Sequence, residues 1–360
     1  MKMEKHITEV LQLNIKKNMK RLIQILLFST FFVFLQSKGQ TLPIYSQYMF
    51  NEYLINAAYS GTYNFSPVVF NNRTQWAGFG DSAPKTASIT FNAPFGSKSS
   101  IGSLVQLDQT NPISRTQLQI NYGHVLILNK ESNILLSMAL SGKYNIQQFN
   151  YQTGMTYSEI TNGIIDNYNQ TSETFSDLDL NLDFLLLSNF FDFGVSIRNL
   201  LAPEEYNTDD QSQIVKYKYL LIHGSFFGAN SQKNSIGVIP SFLIRKIGLT
   251  SFNSLTQLDI NIKTVYKNKI WTGFSYRTQE NIFNISAGFN STKIFIGYSY
   301  DIGTSSNLSS YHNGSHNIAI GYKISVKNKR NLRQQNPYNL NINDDWQKIR
   351  LFNTRHQTGN

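Results

Sequence analysis

The residues of this chain that are best suited to chemistry are its histidines, since imidazole serves both as a general base and as a metal ligand. His312 and His316 have the spacing of two ligands on one helix face, but the Asn313-Gly314 pair between them is typical of a turn. None of the histidines lies in a recognisable catalytic motif. We therefore predict no catalytic site, no metal site and no cofactor, and we do not expect an enzyme. The histidines beyond residue 39 are His124, His223, His312, His316 and His356.

A second group with chemical potential is a row of carboxylates, Asp177, Asp179 and Asp183, which alternate with apolar or amide residues. Residues two and four apart share one face of an extended strand, so the three acids point to the same side. Such a row can bind calcium. The alternative, which we favour, is a row of solvated charges on the polar face of a strand.

The elements that would position these residues are stretches of about ten residues in which apolar and polar side chains alternate. In range 257–266, one face carries leucine, isoleucine, threonine and tyrosine, and the other carries glutamine, aspartate, asparagine and lysine; ranges 177–186 and 317–324 follow the same rule. Strands of soluble sandwiches are usually shorter, roughly 5–6 residues. Long strands with one apolar and one polar face are typical of a transmembrane antiparallel β-barrel.

The number of such stretches also favours a closed barrel. Fourteen candidates are separated by turn signals, and single-chain bacterial barrels close with an even number of strands, which leaves no unpaired edge in lipid. Connections near 129–132, 267–269 and 290–291 are tight, whereas 148–176, 200–213 and 302–314 are long and polar. We expect the short and long connections on opposite sides of the membrane. The candidates lie near 65–73, 85–95, 99–108, 113–128, 133–147, 177–188, 190–199, 214–227, 234–246, 255–266, 269–278, 281–289, 293–301 and 315–325.

The two ends of the chain are distinct from this all-β body. Residues 1–39 resemble a secretory signal peptide, with a basic Met19-Lys20-Arg21 before an uncharged apolar run, and Met19 is a possible true start. Residues 40–64 lead into the barrel at 65–325, and 326–360 form a basic, polar tail. Trp346 and Phe352 are candidate anchors of that tail to a periplasmic partner; the alternative is a disordered end.

Charge and cysteine content exclude several classes of protein. The net charge of +10 comes from the two ends: residues 1–39 and 326–360 each carry seven Lys or Arg against two acids, so the body is neutral. A nucleic-acid-binding fold needs a basic surface, so we expect no nucleic-acid partner. The chain has no cysteine, and therefore no disulfide framework and no thiolate metal site.

Several short stretches resemble the PorP/SprF family of type IX secretion and gliding proteins. They occur in the family's order and together cover most of residues 44–325. The sequence departs from the family where Ala57, Ser60 and Asn317 replace the usual proline, alanine and glutamate. The stretches are Ser46-Gln47-Tyr48-Met49, Asn56-Ala57-Ala58-Tyr59-Ser60-Gly61, Arg73-Thr74-Gln75-Trp76-Ala77-Gly78, Ala83-Pro84-Lys85-Thr86, Ile239-Pro240-Ser241, Trp271-Thr272-Gly273 with Tyr276-Arg277, Gly297-Tyr298-Ser299-Tyr300-Asp301 and Gly314-Ser315-His316-Asn317.

This resemblance implies an outer-membrane β-barrel that works with the type IX secretion and gliding machinery of Bacteroidota. The partners it implies are components of that machinery, a large secreted adhesin that the barrel helps to export or to hold at the surface, or both, besides the lipid bilayer. Nothing catalytic follows from it. A diffusive porin or a channel for hydrophobic solutes remains the alternative function.

The candidate site residues come from the family-like stretches. Arg73 and Trp76 lie on the first predicted hairpin and its loop, and both residue types are common interface anchors, so they could pack a plug or dock a partner. Alternatively, they fix the N-terminal segment inside the barrel. The full set is Asn56, Tyr59, Gly61, Arg73, Gln75, Trp76, Gly78, Pro84, Thr86, Tyr300 and Asp301.

Overall fold

Long alternating stretches form the strands that the sequence predicts, in a computed structural model that describes residues 48–49, 51–63, 65–96, 98–129, 134–149, 173–188, 190–202, 217–227, 236–248, 255–267, 269–303 and 313–325. These ranges contain fourteen β-strands, the predicted number. The bounds differ most at β6, which begins at Glu173 rather than near 177, and at β8, which begins at Tyr219 rather than near 214. The strands are β1 (Phe65–Thr74), β2 (Lys85–Phe95), β3 (Ser99–Thr110), β4 (Ile113–Asn129), β5 (Ile134–Phe149), β6 (Glu173–Leu187), β7 (Phe191–Arg198), β8 (Tyr219–Phe226), β9 (Ile236–Ile247), β10 (Leu255–Tyr266), β11 (Ile270–Arg277), β12 (Ile282–Asn290), β13 (Ile294–Gly303) and β14 (Ser315–Ser325).

The strands form one closed antiparallel barrel. Each strand pairs with its neighbours in sequence, and β1 completes the circle by pairing with β14 from Phe65 opposite Ser325 to Thr74 opposite His316. Closure satisfies the backbone hydrogen-bonding groups of what would otherwise be two edge strands, which is a requirement for a sheet surrounded by lipid.

The alternation in sequence becomes an apolar outer wall and a polar inner wall. In β10, Ile260 and Ile262 are each 49% exposed, whereas Asp259 and Asn261 are each 2% exposed. The outward residues of the other strands are likewise mostly isoleucine, leucine, valine, phenylalanine and tyrosine. Such an outer wall suits contact with the hydrocarbon of a bilayer. Among the described residues, no helix is both long and apolar enough to cross a membrane.

The short and long connections for which the sequence predicts opposite sides do fall at opposite ends of the barrel; one other short connection, the two-residue turn between β3 and β4, lies with the long ones. The end at which β1 begins also carries the β4–β5, β10–β11 and β12–β13 connections, which are short. The β5–β6, β7–β8 and β13–β14 connections, which are long, lie at the other end. We call these the turn end and the loop end; in outer-membrane barrels, short turns face the periplasm and long loops face the exterior. A further connection at the loop end, between β1 and β2, contains a 3₁₀ helix at Ala77–Ser82.

The segment that precedes β1 contacts inward-facing residues of the barrel wall. Its described part, residues 48–49 and 51–63, is called the plug below. It contains two short 3₁₀ helices, Glu52–Leu54 and Ala57–Tyr59. The predicted signal peptide at 1–39, and the tail at 326–360 with its candidate anchors Trp346 and Phe352, lie outside the described residues.

Candidate functional site: the filled lumen and the loop end

The side chain of Asn56 fixes the turn of the plug against the barrel wall. Its Oδ1 accepts a hydrogen bond from the backbone N–H of Ala58 at 2.9 Å and thereby caps the second 3₁₀ helix. Its Nδ2 donates to the backbone oxygen of Phe184 on β6 at 3.0 Å and lies 3.1 Å from Nε2 of His223 on β8. Because both ends of the amide are used, one fully buried residue ties the plug to two strands.

Tyr59 ties the plug to a third strand. Its hydroxyl donates to Oδ2 of Asp192 on β7 at 3.1 Å, and its ring lies 5.5 Å from that of His223. Burial, followed by the negative charge of Asp192, raises the pKa of the Tyr59 phenol well above its ordinary value. The phenol therefore stays protonated and remains a hydrogen-bond donor.

Gly61 allows the chain to turn tightly against the wall. Its φ of +67° is one that residues with a side chain rarely adopt, and a Cβ atom there would lie 2.6 Å from Cβ of Ser100 on β3. Its N–H is 3.4 Å from Oδ1 of Asn92 on β2. A glycine is therefore required at this position both by the backbone conformation and by the space available.

Further hydrogen bonds join the plug to other strands of the wall. Tyr53 donates to Oδ1 of Asn121 on β4 at 2.6 Å. Backbone oxygens of the plug accept hydrogen bonds from Arg198 on β7, at Leu54, and from Lys263 on β10, at Met49, both at 3.0 Å. On β5, Oγ of Ser137 donates to the backbone oxygen of Ala58 at 2.6 Å. Together with the contacts of Asn56, Tyr59 and Gly61, these bonds connect the plug to β2, β4, β5, β6, β7, β8 and β10.

Apolar packing fills the space between these polar contacts. Leu54, Ala57 and Ala58 of the plug are buried against Leu185 and Leu187 of β6 in one cluster. A second cluster packs other plug residues against the wall on the opposite side; its members include Tyr48, Met49, Ile55, Tyr63, Leu221, Leu243, Val265, Trp271 and Phe295. The lumen at this level is thus packed with side chains from two sides.

A layer of buried charges lies closer to the loop end than the plug. Nη1 of Arg73 on β1 is 2.6 Å from Oδ2 of Asp301 on β13 and 3.0 Å from Oδ1 of Asn317 on β14. On the other side of this layer, Asp259 of β10 pairs with Arg245 of β9 at 3.0 Å and with Arg277 of β11 at 3.4 Å. Arg73 is 4% exposed and Asp301 is 1% exposed, so this ion pair is shielded from water.

The remaining candidate residues shape the loop end. The backbone N–H of Gln75 donates to the backbone oxygen of Pro84 at 2.8 Å, which closes the base of the β1–β2 loop. Trp76 has a left-handed φ of 53°, and its N–H donates to Oγ of Ser315 on β14 at 3.2 Å. Its ring contacts the ring of Phe79, whose side chain is 40% exposed. The loop therefore presents aromatic side chains on a backbone that is held in place.

Three other candidate residues lie near this loop, one facing the lumen, one exposed in the loop and one on the outer wall. Thr86 points inward and donates to Oδ1 of Asp108 at 2.8 Å. Gly78 is exposed within the 3₁₀ helix. Tyr300 lies on the half-buried outer side of β13, and its hydroxyl donates to the backbone oxygen of Asn313 at 3.3 Å.

The structure divides the eleven candidates into two groups. Three of them, Asn56, Tyr59 and Gly61, belong to the plug, and the other eight lie at or near the loop end. Sequence reasoning missed the partners on the wall, above all Asp192 and His223. Both occupy inward positions of alternating strands, but alternation alone does not say which inward residues meet the plug.

The histidines and aspartates that the sequence offers for chemistry lie in turns and on strand faces. The Asn313-Gly314 pair adopts φ values of 45° and 70°, as in the predicted turn, and His312 lies outside the described residues. His316 faces outward, with Nδ1 2.7 Å from the hydroxyl of Tyr298. Asp179 and Asp183 face inward and are each 1% exposed. In the described part of the chain, no group of three or more His, Asp or Glu side chains is placed to hold a metal ion.

A closed antiparallel barrel with an apolar outer wall is the architecture of an outer-membrane β-barrel protein. Within that class, the chain belongs to the family described as type IX secretion system membrane protein PorP/SprF, whose model matches residues 37–322. It is therefore an outer-membrane component of type IX secretion and associates with that machinery. The family resemblance seen in the sequence is confirmed.

Individual proteins resemble this chain less specifically than the family does. The search of curated proteins found no match. Among solved structures, the chain is similar to the CymD monoaromatic hydrocarbon channel, with 8% identity, a TM-score of 0.46 and coverage of 80% of this chain and 95% of that one. It is also similar to the Ralstonia pickettii toluene transporter TbuX, with 9% identity, a TM-score of 0.43 and coverage of 81% and 96%. We draw nothing about solutes or transport from similarities at this level.

Proposed function

We propose that this protein is a non-conducting, non-enzymatic barrel of the type IX machinery that helps to export a large secreted adhesin or to hold it at the cell surface. The filled lumen carries this proposal. Because the plug and the charged layer obstruct the interior, we expect a partner to bind at one of the two ends or at the outer wall.

The packing of the plug disfavours the alternative of a diffusive porin or a hydrophobic-solute channel. Met49, Leu54 and Ile55 are each at least 94% buried. Burial stabilises a large apolar side chain by about 1.5–3 kcal/mol, so these three together hold the plug by roughly 5–9 kcal/mol before any hydrogen bond is counted. Spontaneous opening at equilibrium would then be rare.

The loop end offers the best surface for an extracellular partner. Trp76 and Phe79 are aromatic, and aromatic side chains are enriched among the residues that dominate binding energy. The hydrogen bonds at Gln75, Trp76 and Ala77 fix the β1–β2 loop before a partner arrives, which lowers the entropy cost of binding. Arg73 lies beneath this loop and supports it through β1, β13 and β14.

The role in export is tested in cells that lack the gene. Loss of the protein should remove a large surface protein from the cell envelope, and the wild-type gene should restore it. A Phe79→Ala variant should restore the barrel to the outer membrane but restore less of the surface protein. Normal display of every surface protein in the deletion strain would contradict the proposal.

The non-conducting state is tested separately with purified protein. In a planar bilayer, the wild-type protein should insert without producing discrete current steps. Regular steps of uniform size would favour the channel alternative.

A further inference from the structure

A contact between two buried side chains, Asn56 of the plug and His223 of β8, depends on the charge state of the histidine. His223 faces the lumen and is 3% exposed, and its Nε2 lies 3.1 Å from Nδ2 of the fully buried Asn56. Imidazole is the side chain whose charge ordinarily changes between about pH 5 and pH 8. Which of the two nitrogens donates therefore decides how this contact responds to acid.

Backbone groups fix which end of the Asn56 amide faces the histidine. Its Oδ1 accepts from the N–H of Ala58 at 2.9 Å, and its Nδ2 donates to the oxygen of Phe184 at 3.0 Å. Turning the amide over would set oxygen against oxygen at Phe184 and donor against donor at Ala58. The amide thus presents a donor to His223, so Nε2 must accept, and the ring is neutral with its proton on Nδ1.

A proton on Nε2 of His223 would remove this hydrogen bond. The imidazolium carries a proton on each nitrogen, so an N–H of the ring would point at an N–H of the amide. The backbone of β7 limits any turn away from this clash. Gly194 lies opposite His223, and a Cβ atom added there would overlap the imidazole ring and lie 2.7 Å from Nδ2 of Asn56. A buried donor that faces another donor costs free energy.

Charged groups around this part of the lumen are balanced in number, so net charge alone does not favour a proton on His223. Among the described residues, the elements around the ring contribute three acids and three bases. Asp192 already accepts from the Tyr59 hydroxyl and from a backbone N–H of β8. The six groups are Asp192 and Arg198 of β7, Glu52 of the plug, Asp183 of β6, Arg245 of β9 and Lys263 of β10.

We infer that His223 is a pH-sensitive latch of the plug: the neutral ring accepts the Asn56 amide, and a proton on Nε2 releases it. At neutral pH the bond is present and the plug stays seated. In acid, below the ordinary titration point of imidazole near about pH 6.5, the bond is lost and the plug detaches more often. His223 lines a small cavity between the plug and the wall, so the ring borders space that water can enter.

The test measures how often the plug opens, with a thiol placed in it. The chain has no cysteine, so Ser60→Cys introduces a unique thiol at a fully buried residue of the plug. Its reaction with a thiol reagent requires the plug to open, and the rate then follows the population of the open state. Each rate is divided by that of Phe79→Cys, at a side chain that is 40% exposed, to remove the effect of pH on the reagent.

We expect the normalised rate to rise about tenfold between about pH 7.5 and about pH 5, because a buried hydrogen bond is left unmade. His223→Gln keeps an acceptor oxygen but cannot gain a proton, so its rate should be the same at both pH values. His124→Gln, at an outward position of β4, is the matched control and should keep the full rise. Asn56→Asp offers an acceptor to the protonated ring, so it should open more slowly in acid.

Three outcomes would overturn the inference. They are equal normalised rates at the two pH values while His223 is present, a rise that persists in His223→Gln, and faster opening of Asn56→Asp in acid. A persistent rise would assign the effect to a carboxylate such as Asp183. The mobility of unheated samples on gels shows whether each variant is folded, and if His223→Gln is not, the sign of the change in Asn56→Asp decides. The latch does not depend on the export role, because plug opening is measured with purified protein.

Discussion

Replacing Arg73 with alanine should destabilise the barrel more than its position near a loop suggests. The Arg73 guanidinium is 2.6 Å from the carboxylate of Asp301, and the two side chains are 4% and 1% exposed. The substitution removes the cation and leaves the carboxylate buried, where Asn284 donates to it at 2.5 Å. Loss of one partner of a buried ion pair costs about 3–5 kcal/mol, because the remaining charge cannot return to water.

A second ion pair of the same barrel provides the matched control. Arg115 and Asp108 lie 3.6 Å apart, with side chains 31% and 10% exposed. Asp108 is buried but keeps the hydrogen bond from Thr86, and water reaches Arg115, so Arg115→Ala should cost less, about 1–2 kcal/mol. Both variants remove one arginine from the loop-end half of the lumen, and they differ chiefly in burial.

The measurement is the free energy of unfolding in urea, with the protein inserted in phospholipid vesicles and folding followed by the mobility of unheated samples on gels. Arg73→Ala should lower the free energy of unfolding by about 3–5 kcal/mol. Equal losses in the two variants, or a loss below about 1 kcal/mol for Arg73→Ala, would refute the reasoning from burial.

Three further substitutions test the plug and the loop end. Tyr59→Phe removes a donor from the buried carboxylate of Asp192 and should lower the free energy of unfolding by about 1–3 kcal/mol in the same urea assay. Gly61→Val forces a β-branched residue into a left-handed conformation and against Ser100, so it should cost at least about 2 kcal/mol; unchanged stability would mean that the plug is not seated as described. Phe79→Ala should leave unfolding unchanged but lower recovery of an extracellular partner in pull-downs by about tenfold, and full recovery would remove the β1–β2 loop as the docking surface.

The barrel itself could be predicted because the constraint that shapes it, the alternation of lipid-facing and lumen-facing side chains, acts between neighbouring residues of one strand. A strand between lipid and a polar lumen must alternate with period two, so β10 and β14 can be read from single stretches of sequence. The count of fourteen strands and the distribution of short and long connections followed from the same signal. The start of β8 was predicted too early, because Ile214 and Val215 extend its apolar pattern before Tyr219.

The sequence could single out residues of the plug, but it could not predict where the plug lies against the barrel wall. Residues 48–63 have no regular period, and their hydrogen-bond partners come from seven strands of the wall. Asn56, Tyr59 and Gly61 were selected by family resemblance, which does not reveal that Asp192 and His223 meet them. Arg73 was expected to pack a plug, dock a partner or hold the N-terminal segment, and the structure pairs it with Asp301 across the β1–β14–β13 seam. A role in docking remains a prediction for the loop above it.

The most direct test of the account is a pull-down of the tagged protein from gently solubilised outer membranes, with the co-purifying chains identified by mass. The account predicts recovery of type IX components together with a very large surface protein. Recovery of the barrel alone, combined with discrete ion-conducting steps in a planar bilayer, would contradict it.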